Sequence, residues 1–163
     1  MPIFRKALPN EEEDVFKLYE AVKINGRENG TSDWDEDYPN REILNEDMEN
    51  NRIFIFEENG RIIAAISMTQ GEEIDIAPFK WKEDNACFLV RLCVDPSYQG
   101  KGIGEIMMKR ISEHAKSLGI AATHHLASVK NPAANRLYKR MGYHQIGQVF
   151  LYETEYYAYE MRI

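Results

Sequence analysis

Val94-Asp95-Pro96-Ser97-Tyr98-Gln99-Gly100-Lys101-Gly102-Ile103-Gly104 is the stretch whose reading decides the fold. Before it, Ala86 to Val94 is nearly all apolar, the pattern of a strand covered on both faces. After it, Ile106, Met107, Ile111, Ala115 and Leu118 form one apolar stripe at helical spacing, and Gly119 is a natural stop. The spacing predicts a helix from about Gly104 to Leu118. Asp95-Pro96 ends the strand. The glycines between strand and helix let backbone N–H groups point inward without Cβ obstruction. The helix N-terminus adds about half a positive charge. The segment therefore reads as a cradle for a phosphate or pyrophosphate. It is not a P-loop, because Glu105 and Ile106 follow Gly104 in place of Lys and Ser or Thr. It also fails the dinucleotide fingerprint: counted from Gly100 the sixth position is Glu105, and from Gly102 it is Met107.

Working outward, Ile3 to Ala7 reads as a first strand. Asn10 reads as the N-cap of a helix, with Glu13 completing a capping box and Asn25-Gly26 ending it. Residues 27–38 are polar, with acidic residues around Trp34. Pro39 opens a second helix that turns Ile43, Leu44 and Met48 inward. Arg52 to Phe56 and Arg61 to Met68 are strands joined by the hairpin signal Asn59-Gly60. Downstream, Ala121 to Val129 is a strand. Asn131-Pro132 opens a helix, with Asn as cap and Pro in the first turn, and Gly142 closes it. Tyr143 to Phe150 and Tyr152 to Arg162 form a final strand pair. The order is mixed α/β on one sheet with helices on both faces.

The 163 residues fit a single domain, 1–163, with 44% hydrophobic residues for a packed core. No apolar run approaches the roughly 20 residues of a membrane span, so no membrane partner is expected. The first residues lack the charged start and long apolar stretch of a secretory signal, and a cytoplasmic location is expected. A net charge of −7 argues against nucleic acid as a partner. Cys87 and Cys93, on one extended strand, would lie about 20 Å apart, too far to pair. They read as buried apolar residues, and no metal-ligand spacing is present.

With the second segment Asn131-Pro132-Ala133-Ala134-Asn135-Arg136-Leu137-Tyr138-Lys139-Arg140-Met141-Gly142-Tyr143, the chain resembles the GNAT superfamily of N-acetyltransferases. Gln99, Gly102 and Gly104 match its acetyl-CoA motif of Arg or Gln, two residues, Gly, one residue, then Gly or Ala. The second segment matches its Asn, Ala, Leu-Tyr, Gly-aromatic pattern. The resemblance implies a GNAT-like α/β (α+β) fold: a mixed, mostly antiparallel sheet of about seven strands with helices on both faces.

The resemblance also implies an acetyl-CoA-dependent N-acetyltransferase. Backbone groups of Leu92, Cys93 and Val94 would pair with the pantetheine arm. Amides of Gln99, Gly100, Lys101, Gly102, Ile103 and Gly104 would hold the pyrophosphate. Lys101 has an equal reading as a solvated lysine. Asn131 is explained as an N-cap and could also touch the cofactor arm. Asn135, mid-helix, is the better cofactor candidate. Tyr138 would be the general acid that protonates the leaving thiolate; the bland alternative is a tyrosine packed under the sheet. A backbone N–H near Val94 would polarise the thioester carbonyl. The acceptor, a small-molecule or protein amine, would meet Trp34 and Tyr38 in the acidic stretch Asp33 to Pro39. Glu72, Glu73, Asp75 and Glu83 are candidate bases, and one of His124 and His125 could lie near the site. Transfer of a longer acyl group and a non-catalytic acyl-CoA sensor stay open, as do monomer and homodimer.

Overall fold

The computed structural model describes residues 2–30, 34–70, 81–151 and 153–163. Seven strands form a sheet in the order β1-β2-β3-β4-β5-β7-β6. In chain order the elements are β1 (Ile3–Lys6), α1 (Glu12–Asn29), α2 (Arg41–Glu49), β2 (Ile53–Glu58), β3 (Arg61–Thr69), β4 (Ala86–Val94), α3 (Ile103–Ser117), β5 (Ala122–Ser128), α4 (Pro132–Met141), β6 (His144–Leu151) and β7 (Thr154–Arg162). This is the order read from the sequence. The residues group into two compact units, Met1–Met68 with Arg91–Arg110 and Thr69–Val90 with Ile111–Ile163, and β4 contributes to both.

In the first unit β1, β2 and β3 run antiparallel, with Phe4 opposite Phe56 and Phe54 opposite Ile66. Asn59 and Gly60 both take positive φ, 52° and 76°, the turn that suits the right-handed twist of a hairpin. Val15, Leu18 and Tyr19 of α1 and Leu44 of α2 pack with Ile53, Ile55, Ala65 and Cys93 as one core. In the second unit β4 pairs β5 in parallel from Ala86↔Ala122 to Phe88↔His124. β7 runs antiparallel to both β5 and β6. Trp81, Phe88 and Ala158 form a buried cluster there.

Several boundaries differ from the sequence reading. Asn10 does not cap α1. Residues Pro9–Glu11 form a 3-10 turn, and Glu11 accepts from the Leu8 amide at 2.7 Å. Arg5 fixes Glu11 through two bonds of 2.8 Å, and Glu13 is left to pair with Arg41. α1 runs through Asn25-Gly26 to Asn29, because Gly26 is buried inside the helix and Gly30, at φ 63°, makes the left-handed stop. Asn40, not Pro39, caps α2, accepting from the Ile43 amide at 2.9 Å. On α3 the buried face is Ile103, Met107, Met108, Ile111 and Ala115, while Ile106 and Leu118 are exposed. The stripe is centred on the 103/107/111/115 row, and Ile106 lies a third of a turn off it. Gly119 and Gly142 stop α3 and α4 at positive φ, as read.

Candidate functional site

Two groups of residues, one in each unit, carry the chemistry-bearing side chains. In the first unit β4 ends at Val94, and Asp95 follows it. Burial works against the ionised Asp95 carboxyl, but hydrogen bonds from the Ser97 side chain and amide, and the Arg61 guanidinium at 2.6 Å, hold it below the usual carboxylate range. The anchored carboxylate turns the chain through Pro96–Tyr98. The Gln99 side-chain amide then donates to the Val94 carbonyl at 3.1 Å and ties the turn back to the strand.

Gly100 and Gly102 both sit at φ 78°, where a side chain would be strained, and a Cβ at either would enter open space. The Gly102 carbonyl accepts the first α-helical bond, from the Ile106 amide at 3.1 Å. The amides of Ile103 and Gly104 take no side-chain cap among the described residues. An uncapped helix start behind two left-handed glycines that face open space is a fitting cradle for a pyrophosphate. Gly104 lies against the same strand, its Cβ position 3.9 Å from Leu92 and Val94 side-chain carbons. The Lys101 ammonium lies 5.2 Å from the centre of the Tyr98 ring.

The same unit holds a polar cluster the sequence reading did not single out. Arg91, in the middle of β4, has a φ of 55°. Its guanidinium grips Asp47 of α2 through Nε and Nη2, each at 2.9 Å, and its Nη1 donates to the Tyr38 hydroxyl at 3.2 Å. Asp47 is 1% exposed and also accepts from Ser67 at 2.9 Å. Two signals were present in the sequence: a charge inside an apolar strand, and a carboxylate among Ile43, Leu44 and Met48 on the inward face of α2. Trp34 stands edge-on to the buried Tyr19 ring, centroids 5.4 Å apart. With Gly26, Arg27, Gly30, Asp35, Glu36 and Asp37, Trp34 lines an open pocket of about 480 Å³.

In the second unit, Asn131 caps α4, accepting from the Ala134 amide at 3.1 Å. Asn135 is buried and its amide is heavily committed. It donates to the Ser128 and Asn131 carbonyls at 2.8 and 2.9 Å and accepts from the Tyr159 hydroxyl at 2.6 Å. One turn on, the Tyr138 ring packs on His125, Tyr159 and Tyr143 at centroid distances of 4.0, 5.6 and 5.9 Å. The residue is 8% exposed, and its hydroxyl makes no hydrogen bond among the described residues. Burial, aided by the neighbouring tyrosines, pushes its phenol above the ordinary value, so the proton stays on.

The two histidines face opposite sides of β5, as their adjacency required. His124 stacks on Trp81 at 4.0 Å and meets the Glu160 carboxylate at 2.8 Å. His125 lies in the tyrosine cluster, and burial, then His124, lowers its pKa to about 3. Glu83 accepts from the Asn85 amide at 3.1 Å. Glu72, Glu73 and Asp75 lie outside the described residues, as does Asp33. Cys87 and Cys93 are free and buried; burial raises the first to about 12 and the second further. Among the described residues no cluster of His, Cys, Asp and Glu is set to hold a metal ion, and no helix is long and apolar enough to cross a membrane.

The acetyltransferase (GNAT) family model matches residues 14–143. The chain belongs to the GNAT acetyltransferase family. Among curated proteins it is similar to the N-acetylaspartate synthetase of Danio rerio, 29% identical over 84 residues. That match covers 51% of this chain and 30% of that protein, so the chain spans less than a third of the curated relative's length. Among solved structures, a GNAT-family acetyltransferase from Streptococcus agalactiae superposes with a TM-score of 0.85 at 24% identity, covering 99% of this chain and 95% of that one. The ribosomal-protein-S18-alanine N-acetyltransferase of Escherichia coli superposes with a TM-score of 0.75 at 14% identity, covering 100% and 94%. This GNAT chain thus has the mixed seven-stranded fold and belongs to a family of acetyltransferases, which draw acyl groups from acetyl-CoA.

Proposed function

We propose that the chain moves the acetyl group of acetyl-CoA to a primary amine by direct attack, with Tyr138 as general acid. The observation that carries this is Tyr138, a largely buried residue whose phenol keeps its proton and whose hydroxyl is uncommitted among the described residues, on the helix that matches the family's second motif. Acetyl-CoA supplies an activated thioester. Amides from Gln99 to Gly104 hold its pyrophosphate, and backbone groups of Leu92, Cys93 and Val94 hold its pantetheine arm. Asn131 borders that arm. Asn135 retains an expected role there through the Ser128 carbonyl it positions, since its own amide is largely spent.

As the amine nitrogen bonds to the carbonyl carbon, a backbone N–H near Val94 takes up the negative charge growing on oxygen. The C–S bond breaks, and the Tyr138 hydroxyl gives its proton to sulfur. The proton released by the attacking nitrogen passes to a base through water. A thiolate relay through Cys87 or Cys93 is disfavoured, because both thiols are buried and hold their protons far above neutral pH. Trp34 and Tyr38 bind the acceptor beside the acidic turn. We read residues 1–163 as one catalytic domain, with support from β4, which runs through both units. Free thiols support a cytoplasmic setting.

The test is CoA thiol release from acetyl-CoA across a panel of amines, with wild type and Tyr138→Phe side by side. Amine-dependent release that falls at least about tenfold in the variant, about 1.4 kcal/mol of barrier, is expected. Full activity in Tyr138→Phe rejects Tyr138 as the acid. Binding of acetyl-CoA without release to any amine rejects the transferase reading for these acceptors and favours an acyl-CoA sensor.

A further inference from the structure

Arg91 has five N–H groups, and three are spent. Nε and Nη2 each donate to a carboxylate oxygen of Asp47, and Nη1 donates to the Tyr38 hydroxyl. One N–H on each of Nη1 and Nη2 is left without a partner among the described residues. Asp47 cannot turn toward a ligand. Its oxygens are filled by Arg91 twice, by Ser67 at 2.9 Å and by Arg52 at 3.4 Å. It orients the guanidinium and balances its charge. The Tyr38 oxygen already accepts from Arg91, so its own proton points elsewhere, and the residue is 39% exposed. Three donors therefore sit together: two N–H and one O–H, with no acceptor among the described residues to satisfy them. A donor-only group of this kind suits an oxygen anion, and a guanidinium fork suits a carboxylate.

A structural clasp between α2 and β4 would be complete with the Asp47 pair alone. It would not require the left-handed φ of 55° that Arg91 adopts, a strained conformation of the kind that collects at binding sites. The neighbouring turn supplies the opposite charge. Asp35 and Tyr38 bond to each other through both backbone groups, at 3.1 and 3.3 Å, so Asp35, Glu36 and Asp37 belong to the turn that carries Tyr38. Glu36 already lies 3.9 Å from the Arg27 guanidinium, and the remaining carboxylates, Asp35 and Asp37, suit an ammonium.

We propose that Arg91 and Tyr38 form the carboxylate subsite for the acceptor, and that the acceptor is a free amino acid. The zwitterion places its carboxylate on the Arg91 and Tyr38 donors and its ammonium toward the acidic turn. Arg91 sets acceptor specificity, and Asp47 is a positioning residue for it. This rests on the acyl-transfer reading above.

The experiment compares matched acceptors with the full chain. Alanine, aspartate, glutamate, lysine and phenylalanine are each assayed against their α-carboxamides by CoA thiol release. At least one amino acid should exceed its carboxamide in kcat/KM by tenfold or more. The ratio should fall toward one in Arg91→Lys and in Tyr38→Phe, through the acceptor KM and not the KM for acetyl-CoA. If Arg91→Lys does not fold, Tyr38→Phe, which removes one oxygen atom, decides. Carboxamides acetylated as well as the acids, or a preference that survives both variants, overturns the subsite and leaves the acyltransferase reading standing. Absence of transfer to any amine, charged or not, overturns both.

Discussion

The imidazole of His125 lies 4.0 Å from the ring of Tyr138, centroid to centroid, and neither of its ring nitrogens has a hydrogen-bond partner among the described residues. A phenylalanine would fill the same space without the cost of burying two polar atoms. The histidine is held neutral, its pKa brought from 6.5 to about 3 by burial and then by His124.

That depression has a definite sign in the pH dependence of stability. Between about pH 3 and 6.5 the unfolded chain binds a proton at His125 that the folded chain refuses. Stability is full above pH 6.5 and falls as pH drops through that window, by up to about 1.4 kcal/mol per pH unit for one such group. Urea unfolding of wild type and His125→Phe at pH 4 to 7 should show a shallower slope in the variant. Equal slopes would place the acid sensitivity elsewhere.

Tyr138 is shifted the opposite way, upward, by burial and by Tyr143 and Tyr159. Its acid form persists at least to its ordinary pKa of about 10. The rate should show no alkaline fall below pH 10 that depends on Tyr138. A wild-type limb centred near pH 8 to 9 and missing from Tyr138→Phe would contradict the environment described above.

The glycines of the turn are not equivalent. Gly102→Ala puts a side chain at φ 78° and should cost about 1 kcal/mol of stability, and the displaced amides should weaken acetyl-CoA binding severalfold. Gly104→Ala meets only ordinary contacts of 3.9 Å and gains helix propensity, so its melting temperature should match or exceed wild type. Thermal melts and acetyl-CoA titration of the two variants check the contrast.

Asn135 bonds α4 to β5 and β7 together. Asn135→Ala leaves the Tyr159 hydroxyl unpaired and takes one of two bonds from the Ser128 carbonyl, which keeps the Asn131 amide, and should cost about 1–3 kcal/mol. Tyr159→Phe removes one bond and should cost about 1 kcal/mol. A double-mutant cycle should give less than the sum, since both changes break the same 2.6 Å contact.

Asp47 balances a guanidinium that is itself only 11% exposed. Asp47→Ala should cost about 3–5 kcal/mol, because it leaves Arg91 charged and unpaired. A denaturant midpoint close to wild type would show that Arg91 reaches water when its partner is removed.

The element order was legible because local chemistry carried it. Asn59-Gly60 and Asn131-Pro132 act through their own backbones, and both turned out as their residue types require. The glycine turn and the tyrosine of α4 were legible for the same reason, as short runs with fixed spacing. The α1 boundaries were misread because distant residues decided them. Arg5 on β1 recruits Glu11, and burial carries the helix through Gly26.

The amino-acid order alone determined the sequence of strands and helices, the glycine turn and the family pattern. Each depends on neighbours within a few residues, through periodicity, caps and left-handed glycines. Only the tertiary structure decided the partnership of Arg91 with Asp47 and Tyr38, which lie 44 and 53 positions away, and the enclosure of His125 by three tyrosines. Such pairings follow from which strand faces which helix. Their energies come from burial and from convergent charges, neither of which a linear chain displays.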